Sequence, residues 1–226
     1  FPLAEQVARA NKHVYTEKPI AQTLEDGLRT AAPGKQHGIT VTVGHSARLM
    51  AGIRIIKERI DAGDLGRAAY MEGNFSNERA LELTPQTWRW YKDRAPGGPL
   101  SQLAIHQFDV LHLLGGEIAE VSSIASKLSP VGAEVDDQSM TLLRFADGKV
   151  GYVGSCWTSP GIFSVRVFGS KGWLELRGDT ELMMRGLEGQ PERAALQAVD
   201  KEKAELEAFA DAIAEKKSTV IPPQEI

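Results

Sequence analysis

The stretch DQSMTLLRFADGKVGYVGSCWT, residues 137–158, predicts two β-strands joined by a tight turn. Apolar and polar residues alternate around ADGK (146–149), a turn sequence typical of a hairpin. The neighbouring segments repeat the alternation, with a second turn signal at GSKG (169–172). The second half of the chain therefore predicts a large, mostly antiparallel open sheet built of meanders, with further strands in AEVSSIASKLS (119–129), FSVRVFGSKGWLELRG (163–178) and TELMMRG (180–186).

The N-terminal part of the chain alternates between helix and strand patterns instead. Helices are expected over residues 2–12 and from Thr23, and strands in HVYT (13–16) and ITVTVG (39–44). Crossovers of this length suit parallel strands, so the order predicts the closing portion of a Rossmann-like α/β unit. We place this unit in residues 1–46 and an α+β domain in residues 47–226.

Three further helices are predicted in the second domain. They are AGIRIIKERIDAGDLG (51–66) with Ile53, Ile56 and Ile60 on one face, LSQLAIHQFDVLHLLGG (100–116), and a charged helix near 200–217 with Leu206, Phe209 and Ile213 as its buried stripe. Residues 77–99 form a long connecting segment that holds Trp88, Trp90 and Tyr91. Segments of this length without regular structure are usually functional.

The composition excludes several classes of protein. The chain has 226 residues, 42% apolar and 25% charged, with a formal net charge of −4, which is ordinary for a globular protein. Its basic residues are scattered, which argues against a nucleic-acid partner. No apolar run is long enough to span a membrane. Because Cys156 is the only cysteine, a disulfide framework is excluded, and we expect a reducing, cytoplasmic compartment.

Lys18 is the first candidate for chemistry, in VYTEKPI (14–20). It follows a predicted parallel strand, at the edge where α/β proteins bind ligands. Pro19 restricts Lys18 to extended geometry and can form a cis peptide bond. Lys18 could therefore hold a substrate oxygen. The alternative is a solvent-exposed lysine in a turn between strand and helix.

His106 is the second candidate, in GGPLSQLAIHQFD (97–109). His106 and Asp109 are three residues apart on a predicted helix and can pair. An imidazole suits general acid–base catalysis, and Gly97 and Gly98 would let the backbone approach a ligand. The alternative is a histidine satisfied within a helix N-terminal loop or the core.

Other residues suit substrate binding. His45 and Arg48 follow the second parallel strand, and an arginine can fix a carboxylate or hydroxyl. The alternative is an arginine on the surface and a histidine satisfied by the backbone. Trp88, Trp90 and Tyr91 could line a sugar pocket, or pack in the core or an interface. We expect no metal site, because no His, Cys and carboxylate residues have ligand spacing. The sequence also lacks G-x-G-x-x-G, Walker and G-x-S-x-G motifs.

The order of these motifs resembles that of the Gfo/Idh/MocA family of NAD(P)-dependent oxidoreductases. The resemblance includes EKP (17–19), VGH (43–45) with an arginine, GDLG (63–66), GGPLSQLAIHQFD, EVDDQSMTLLRFADG (134–148) and FGSKGWLEL (168–176). It implies an N-terminal dinucleotide-binding Rossmann domain and a C-terminal substrate-binding domain whose open sheet face mediates homo-oligomer contacts. It covers nearly the whole chain.

The resemblance also implies roles for individual residues. Glu17, Lys18 and Pro19 match the family's E-K-P motif beside the nicotinamide of NAD or NADP. Lys18 would polarise the reacting hydroxyl, and His106 would take its proton while hydride passes to the cofactor. The implied substrate is a secondary alcohol or ketone of a sugar, cyclitol or related cyclic diol.

This chain departs from the family pattern in two ways. Gln102 stands where many members have Asp, four residues before the histidine, which puts an inositol-type substrate in doubt. The glycine-rich fingerprint and the first Rossmann strands are absent, so we expect the chain alone to be inactive and its parent to be longer. The alternative function is a non-catalytic ligand-binding, regulatory or assembly module of the same fold.

Overall fold

The computed structural model describes residues 2–221 and residue 225, and the chain divides into two compact units. One unit holds the residues up to Leu49 and those from Asp200 onward, and the other runs from Met50 to Val199. Among the described residues, no helix combines the length and the apolar character that crossing a bilayer requires.

The first unit is built around a pair of parallel strands. β1 (Val14–Glu17) pairs with β2 (Val41–Gly44), so that Val14 lies opposite Val41 and Glu17 opposite Gly44. The helices α1 (Pro2–Arg9) and α2 (Leu24–His37) precede the two strands, as the alternation in the sequence predicts.

Helix α2 has defined caps at both ends. The Thr23 hydroxyl accepts a hydrogen bond from the Asp26 backbone N–H at 3.2 Å, which satisfies one of the free donors of the first turn. Gly38 ends the helix in the left-handed conformation, with φ of 64°. Pro33 lies inside the helix rather than at its end, so α2 continues to His37.

The C-terminal helix α5 (Lys201–Glu215) belongs to the first unit. Tyr15 of β1 donates its hydroxyl to the Glu205 carboxylate at 2.8 Å, and its ring centre lies 5.8 Å from that of Phe209. The structure groups α5 with the N-terminal residues, and the division of the chain into domains 1–46 and 47–226 stays a prediction. Glu205 takes the buried position expected for Leu206, which is 54% exposed.

The second unit is built on an eight-stranded sheet with the order β10-β9-β8-β7-β3-β6-β5-β4. Only the β3–β6 pair is parallel, so the prediction of a large, mostly antiparallel sheet is confirmed. The strands are β3 (Ala68–Ser76), β4 (Ile118–Ser126), β5 (Gln138–Phe145), β6 (Val150–Cys156), β7 (Ile162–Gly169), β8 (Gly172–Arg177), β9 (Glu181–Gly186) and β10 (Glu192–Ala195).

The central strand β3 joins two meanders. One meander is β4-β5-β6 and the other is β7-β8-β9-β10, and Asn74 of β3 lies opposite Gly154 of β6 and Ser164 of β7. The alternation in the sequence predicted the hairpins. It did not predict that β3 separates the meanders, nor the short edge strand β10.

Two helices cover one face of this sheet. α3 (Ala51–Asp61) buries Ile53 and Ile56 completely, and α4 (Ile105–Gly115) follows a π-helical turn at Leu100–Ala104. The opposite face, which we call the open face, carries exposed apolar side chains. They include Ile124, Met140, Leu142 and Val150, with exposed fractions of 77%, 55%, 60% and 47%.

Candidate active site

In the first unit, Lys18 directly follows the last residue of β1. Its side chain is half-buried, whereas Glu17 and Pro19 are exposed, and the Lys18–Pro19 peptide bond is cis. The possibility of a cis bond, drawn from the sequence, is thus confirmed. Because Glu17 pairs with Gly44, Lys18 and His45 leave neighbouring parallel strands at the same edge. This edge is where ligands bind in doubly wound sheets.

Arg48 lies in a short 3-10 turn (Ser46–Leu49) after β2, and it contacts other residues of the chain. Its side chain is buried, and its Nη1 donates to the Glu225 carboxylate at 2.7 Å and to the Val220 carbonyl oxygen at 3.3 Å. These contacts tie the end of the chain to the first unit. They indicate a structural role for Arg48, while its predicted contact with substrate stays a prediction.

In the second unit, His106 lies in the first turn of α4 and is half-buried. Its ring centre is 5.7 Å from that of Phe75 on β3, and Phe75 in turn contacts Phe163 at 5.4 Å. The next residue, Gln107, is fully buried, and its Nε2 donates to the Asn74 carbonyl oxygen at 3.2 Å. The start of α4 is therefore fixed on the centre of the sheet.

Close packing between Gly73 and Gln107 supports the same attachment. A Cβ atom at Gly73 would lie 2.8 Å from Gln107 Oε1 and 3.2 Å from its Cβ, so a larger residue would push α4 away from β3. The sequence analysis missed Phe75 and Gln107 as supports of the histidine. Phe75 on β3 and Gln107 on α4 take these roles because α4 packs on β3, which the sequence pattern does not show.

Gln102 lies in the π-helical turn, four residues before His106. Side chains four residues apart on a helix are neighbours on one face, so Gln102 and His106 lie on the same side of this segment. π-Helical turns within helices are frequent at functional sites. Asp109 is half-buried on the same helix. The substrate contacts predicted for Gln102 and Asp109 remain predictions.

The backbone conformation before this turn accounts for its two glycines. Gly97 and Gly98 have φ of 77° and 48°, and a Cβ at Gly98 would lie 2.2 Å from the Asp136 carbonyl oxygen. Both conformations favour glycine. The close approach that we expected toward a ligand is, at Gly98, an approach to the chain itself.

The aromatic residues of the segment 77–99 fall into different environments. Trp90 packs against a core cluster, whereas Trp88 is 44% exposed and Tyr91 is half-buried, its hydroxyl donating to the Pro85 carbonyl oxygen at 2.9 Å. Of the three, Trp88 is best suited to meet a ligand. The cluster under this segment consists of Ala80, Leu83, Ala95, Leu103, Ala133, Val135 and Trp157.

Arg89, between the two tryptophans, is a further candidate residue that the sequence analysis missed. Its Nε donates to Gln102 Oε1 at 3.2 Å, and its Cζ lies 4.3 Å from the centre of the Trp88 ring. Burial lowers the pKa of Arg89, and the charge of Arg79 lowers it further. The motif WRW within a long segment was the available signal, but only the tryptophans were considered.

Residues 53–175 match the model of the GFO/IDH/MocA C-terminal domain, which is more than half of the chain. The chain belongs to the Gfo/Idh/MocA family. Two curated Gfo/Idh/MocA relatives are dehydrogenases of a sugar and a cyclitol. Levoglucosan dehydrogenase of Pseudarthrobacter phenanthrenivorans is 29% identical over 174 residues, covering 67% of this chain and 45% of the relative. The scyllo-inositol 2-dehydrogenase (NAD(+)) of Bacillus subtilis strain 168 is 30% identical over 173 residues, covering 74% and 48%.

A solved structure shows the same fold along nearly the whole chain. It is that of a candidate NADPH-dependent oxidoreductase of Desulfitobacterium hafniense DCB-2, with a TM-score of 0.92 and 35% identity, covering 99% of this chain and 69% of that one. The chain spans about half the length of the two curated relatives. The Gfo/Idh/MocA fold predicted from the sequence is therefore confirmed.

Proposed function

We propose that the protein is an oxidoreductase that transfers hydride between NAD or NADP and a secondary alcohol or ketone of a sugar, cyclitol or related cyclic diol. The observation that carries the proposal is the position of His106, half-buried against Phe75 at the start of α4, within the stretch that matches the family. Curated relatives named for sugars and a cyclitol support the substrate class.

In the proposed chemistry the hydrogen of the substrate hydroxyl and the hydrogen on the same carbon go to two different acceptors. During oxidation, the His106 imidazole takes the proton from the substrate hydroxyl, and the C–O bond becomes a carbonyl as hydride leaves the same carbon. The nicotinamide supplies the hydride acceptor when it is bound. The Lys18 ammonium hydrogen-bonds the substrate oxygen and stabilises the negative charge that develops on it. Reduction runs through the same groups in reverse.

The residues after β1 suit the nicotinamide end of a dinucleotide. Parallel strands present their carboxyl ends at one edge, and dinucleotides bind at such an edge. Glu17 ends β1 there, Lys18 and Pro19 follow it, and His45 follows β2. The sequence contains no G-x-G-x-x-G motif, so these residues would hold the nicotinamide end and not the pyrophosphate.

Alanine substitutions in the full-length protein test these roles. Lys18→Ala and His106→Ala should each lower turnover by at least about tenfold, as expected for acid–base and positioning residues. Lys12→Ala and His37→Ala, which remove exposed side chains of the same types, should leave turnover unchanged. Turnover like that of the wild type in both active-site variants would refute the mechanism.

The rival function is a ligand-binding or regulatory protein of the same fold, and Gln102 is the observation in its favour. A glutamine cannot share a negative charge with His106, as an aspartate would. Incubation of the full-length protein with NAD+ or NADP+ and a panel of sugars and cyclitols separates the two functions. A change in nicotinamide absorbance supports the enzyme, whereas binding without any change supports the rival.

We further propose that the protein forms a homo-oligomer through the open face. Exposed apolar side chains on neighbouring strands form a contiguous patch, which is typical of an interaction surface. Leu142→Asp should reduce the mass in solution to that of a monomer, and Leu187→Asp, an exposed site outside the strands, should not. A monomeric mass for the wild-type protein would contradict the proposal.

A further inference from the structure

The segment before α4 holds a guanidinium group that is hydrogen-bonded to Gln102, four residues before the proposed proton acceptor. Arg89 is bonded through Nε to Gln102 and stacked on the Trp88 ring. Gln102 in turn lies one helical turn before His106, on the same side of the segment. Arg89 is therefore held next to the face on which the substrate would meet His106.

This guanidinium group has no counter-charge in the described part of the chain. Among residues 2–221 and 225, no carboxylate forms an ion pair with Arg79 or Arg89. Gln102 accepts a hydrogen bond from Arg89 but carries no negative charge. The charge of Arg79 also acts on Arg89, and it is repulsive. A half-buried, unbalanced cation of this kind would be stabilised by a bound anion.

The donors of Arg89 suit an anion in geometry as well as in charge. Nε is used by Gln102, and the remaining N–H groups of the guanidinium form a planar fork that matches a carboxylate or phosphate. The fork is also held in place. Trp88 supports one face of it, and the surrounding segment is anchored by Leu83, Ala95 and Leu103 in the core cluster. Fixed donors lose less entropy when they bind.

We propose that Arg89, assisted by Arg79 and Gln102, binds an anionic substituent of the substrate, so that the protein prefers acidic sugars or acidic cyclic polyols over neutral ones. This inference rests on the proposed function, because it concerns the substrate of that same site. It goes beyond that function by choosing an anionic subclass. Carboxylates and phosphates share the chemistry that Arg89 recognises, and the experiment distinguishes them.

Matched substrates test the preference. The full-length protein is assayed with NAD+ and with NADP+ on D-glucose, D-glucuronate and D-glucose 6-phosphate, and on myo-inositol and the carboxylated cyclic polyol quinate. We expect kcat/KM for an anionic compound to exceed that of its neutral counterpart by at least about tenfold, as for a hydrogen-bonded charge pair. Comparison of D-glucuronate with D-glucose 6-phosphate shows whether a carboxylate or a phosphate is preferred.

Three variants connect the preference to Arg89. Arg89→Gln should abolish the preference for the anionic compound and raise its KM more than it lowers kcat. Gln102→Asp supplies a counter-charge within the protein, so it should reduce the preference while keeping Arg89 in place. Arg94→Gln removes a guanidinium from the same segment, where it stacks on Tyr91, and should leave the preference unchanged. Thermal unfolding of each variant reports whether it is folded.

The outcomes separate this inference from the proposed function. Turnover of the neutral compounds with no preference for the anionic ones would overturn the inference alone. The same holds if Arg89→Gln, shown to be folded, keeps the full preference. A complete absence of nicotinamide-linked turnover across the panel would count against the proposed function, and the inference would fall with it.

Discussion

Phe75 and His106 lie with their ring centres 5.7 Å apart and their planes inclined at 58°, so that the sheet supports the imidazole directly. Phe75 belongs to the central strand β3 and His106 to the helix that covers it. The orientation of the proposed proton acceptor is thus coupled to the position of β3, which is paired with β6 on one side and β7 on the other.

Removing the support of the imidazole should affect catalysis more than binding. We expect Phe75→Leu to lower kcat several-fold with little change in KM, because the imidazole loses its fixed orientation but the substrate contacts remain. Phe163→Leu, at a ring that contacts Phe75, serves as the control and should have a smaller effect. Steady-state kinetics of the full-length protein measures both. An increase in KM with unchanged kcat would contradict the supporting role.

Arg48 offers a test between a structural and a substrate-binding role. Because its buried guanidinium pairs with Glu225 and the Val220 carbonyl oxygen, Arg48→Met should lower the free energy of unfolding by about 1–3 kcal/mol and leave KM unchanged. Arg54→Met, at an exposed arginine, should change the free energy of unfolding little. Denaturant titration and kinetics decide the matter. A raised KM with unchanged stability would restore the substrate-binding role.

Glu205 makes stability depend on pH in a defined direction. Burial raises the pKa of Glu205 in the folded protein, although the hydrogen bond from Tyr15 opposes this. A folded-state pKa above the unfolded value means that the folded state holds the proton more tightly. The contribution of Glu205 to stability is therefore fully present below the unfolded-state pKa, about 4.3, and is lost as the pH rises through the raised value.

A neutral substitute should remove this loss. The glutamine of Glu205→Gln can still accept the hydrogen bond from the Tyr15 hydroxyl, but it does not titrate. The free energy of unfolding of this variant should therefore rise relative to that of the wild type as the pH rises from acidic to neutral values. Glu207→Gln, at an exposed position of the same helix, should follow the wild type. Urea denaturation at a series of pH values provides the comparison. If the free energy of unfolding of Glu205→Gln fell relative to that of the wild type as the pH rises, the sign would be wrong.

Gly98 is required by the backbone next to the π-helical turn. Gly98→Ala combines a positive φ with a Cβ 2.2 Å from the Asp136 carbonyl oxygen, so we expect a loss of at least about 2 kcal/mol in the free energy of unfolding. Gly161→Ala, where no atom lies within 4 Å of the added Cβ, should stay close to the wild type. Equal melting temperatures for the two variants would contradict this explanation.

The sequence predicted the hairpins of the sheet, the parallel pair β1–β2 and the helices α3 and α4, because each depends on local periodicity and turn residues. Lys18, His106 and Gln102 were predicted as site residues for a related reason, since each lies at a fixed place in a short motif. These features need only neighbours along the chain to be recognised.

Other features depend on residues that are far apart in sequence. The buried Glu205 could not be recognised without Tyr15, 190 residues earlier, because a carboxylate is buried only where a partner compensates for its lost hydration. The pairing of Arg89 with Gln102 and the contact of Phe75 with His106 likewise arise where the segment 77–99, β3 and α4 meet. Local pattern specifies the elements, whereas the compensation of charge and the support of side chains are decided by which elements pack together.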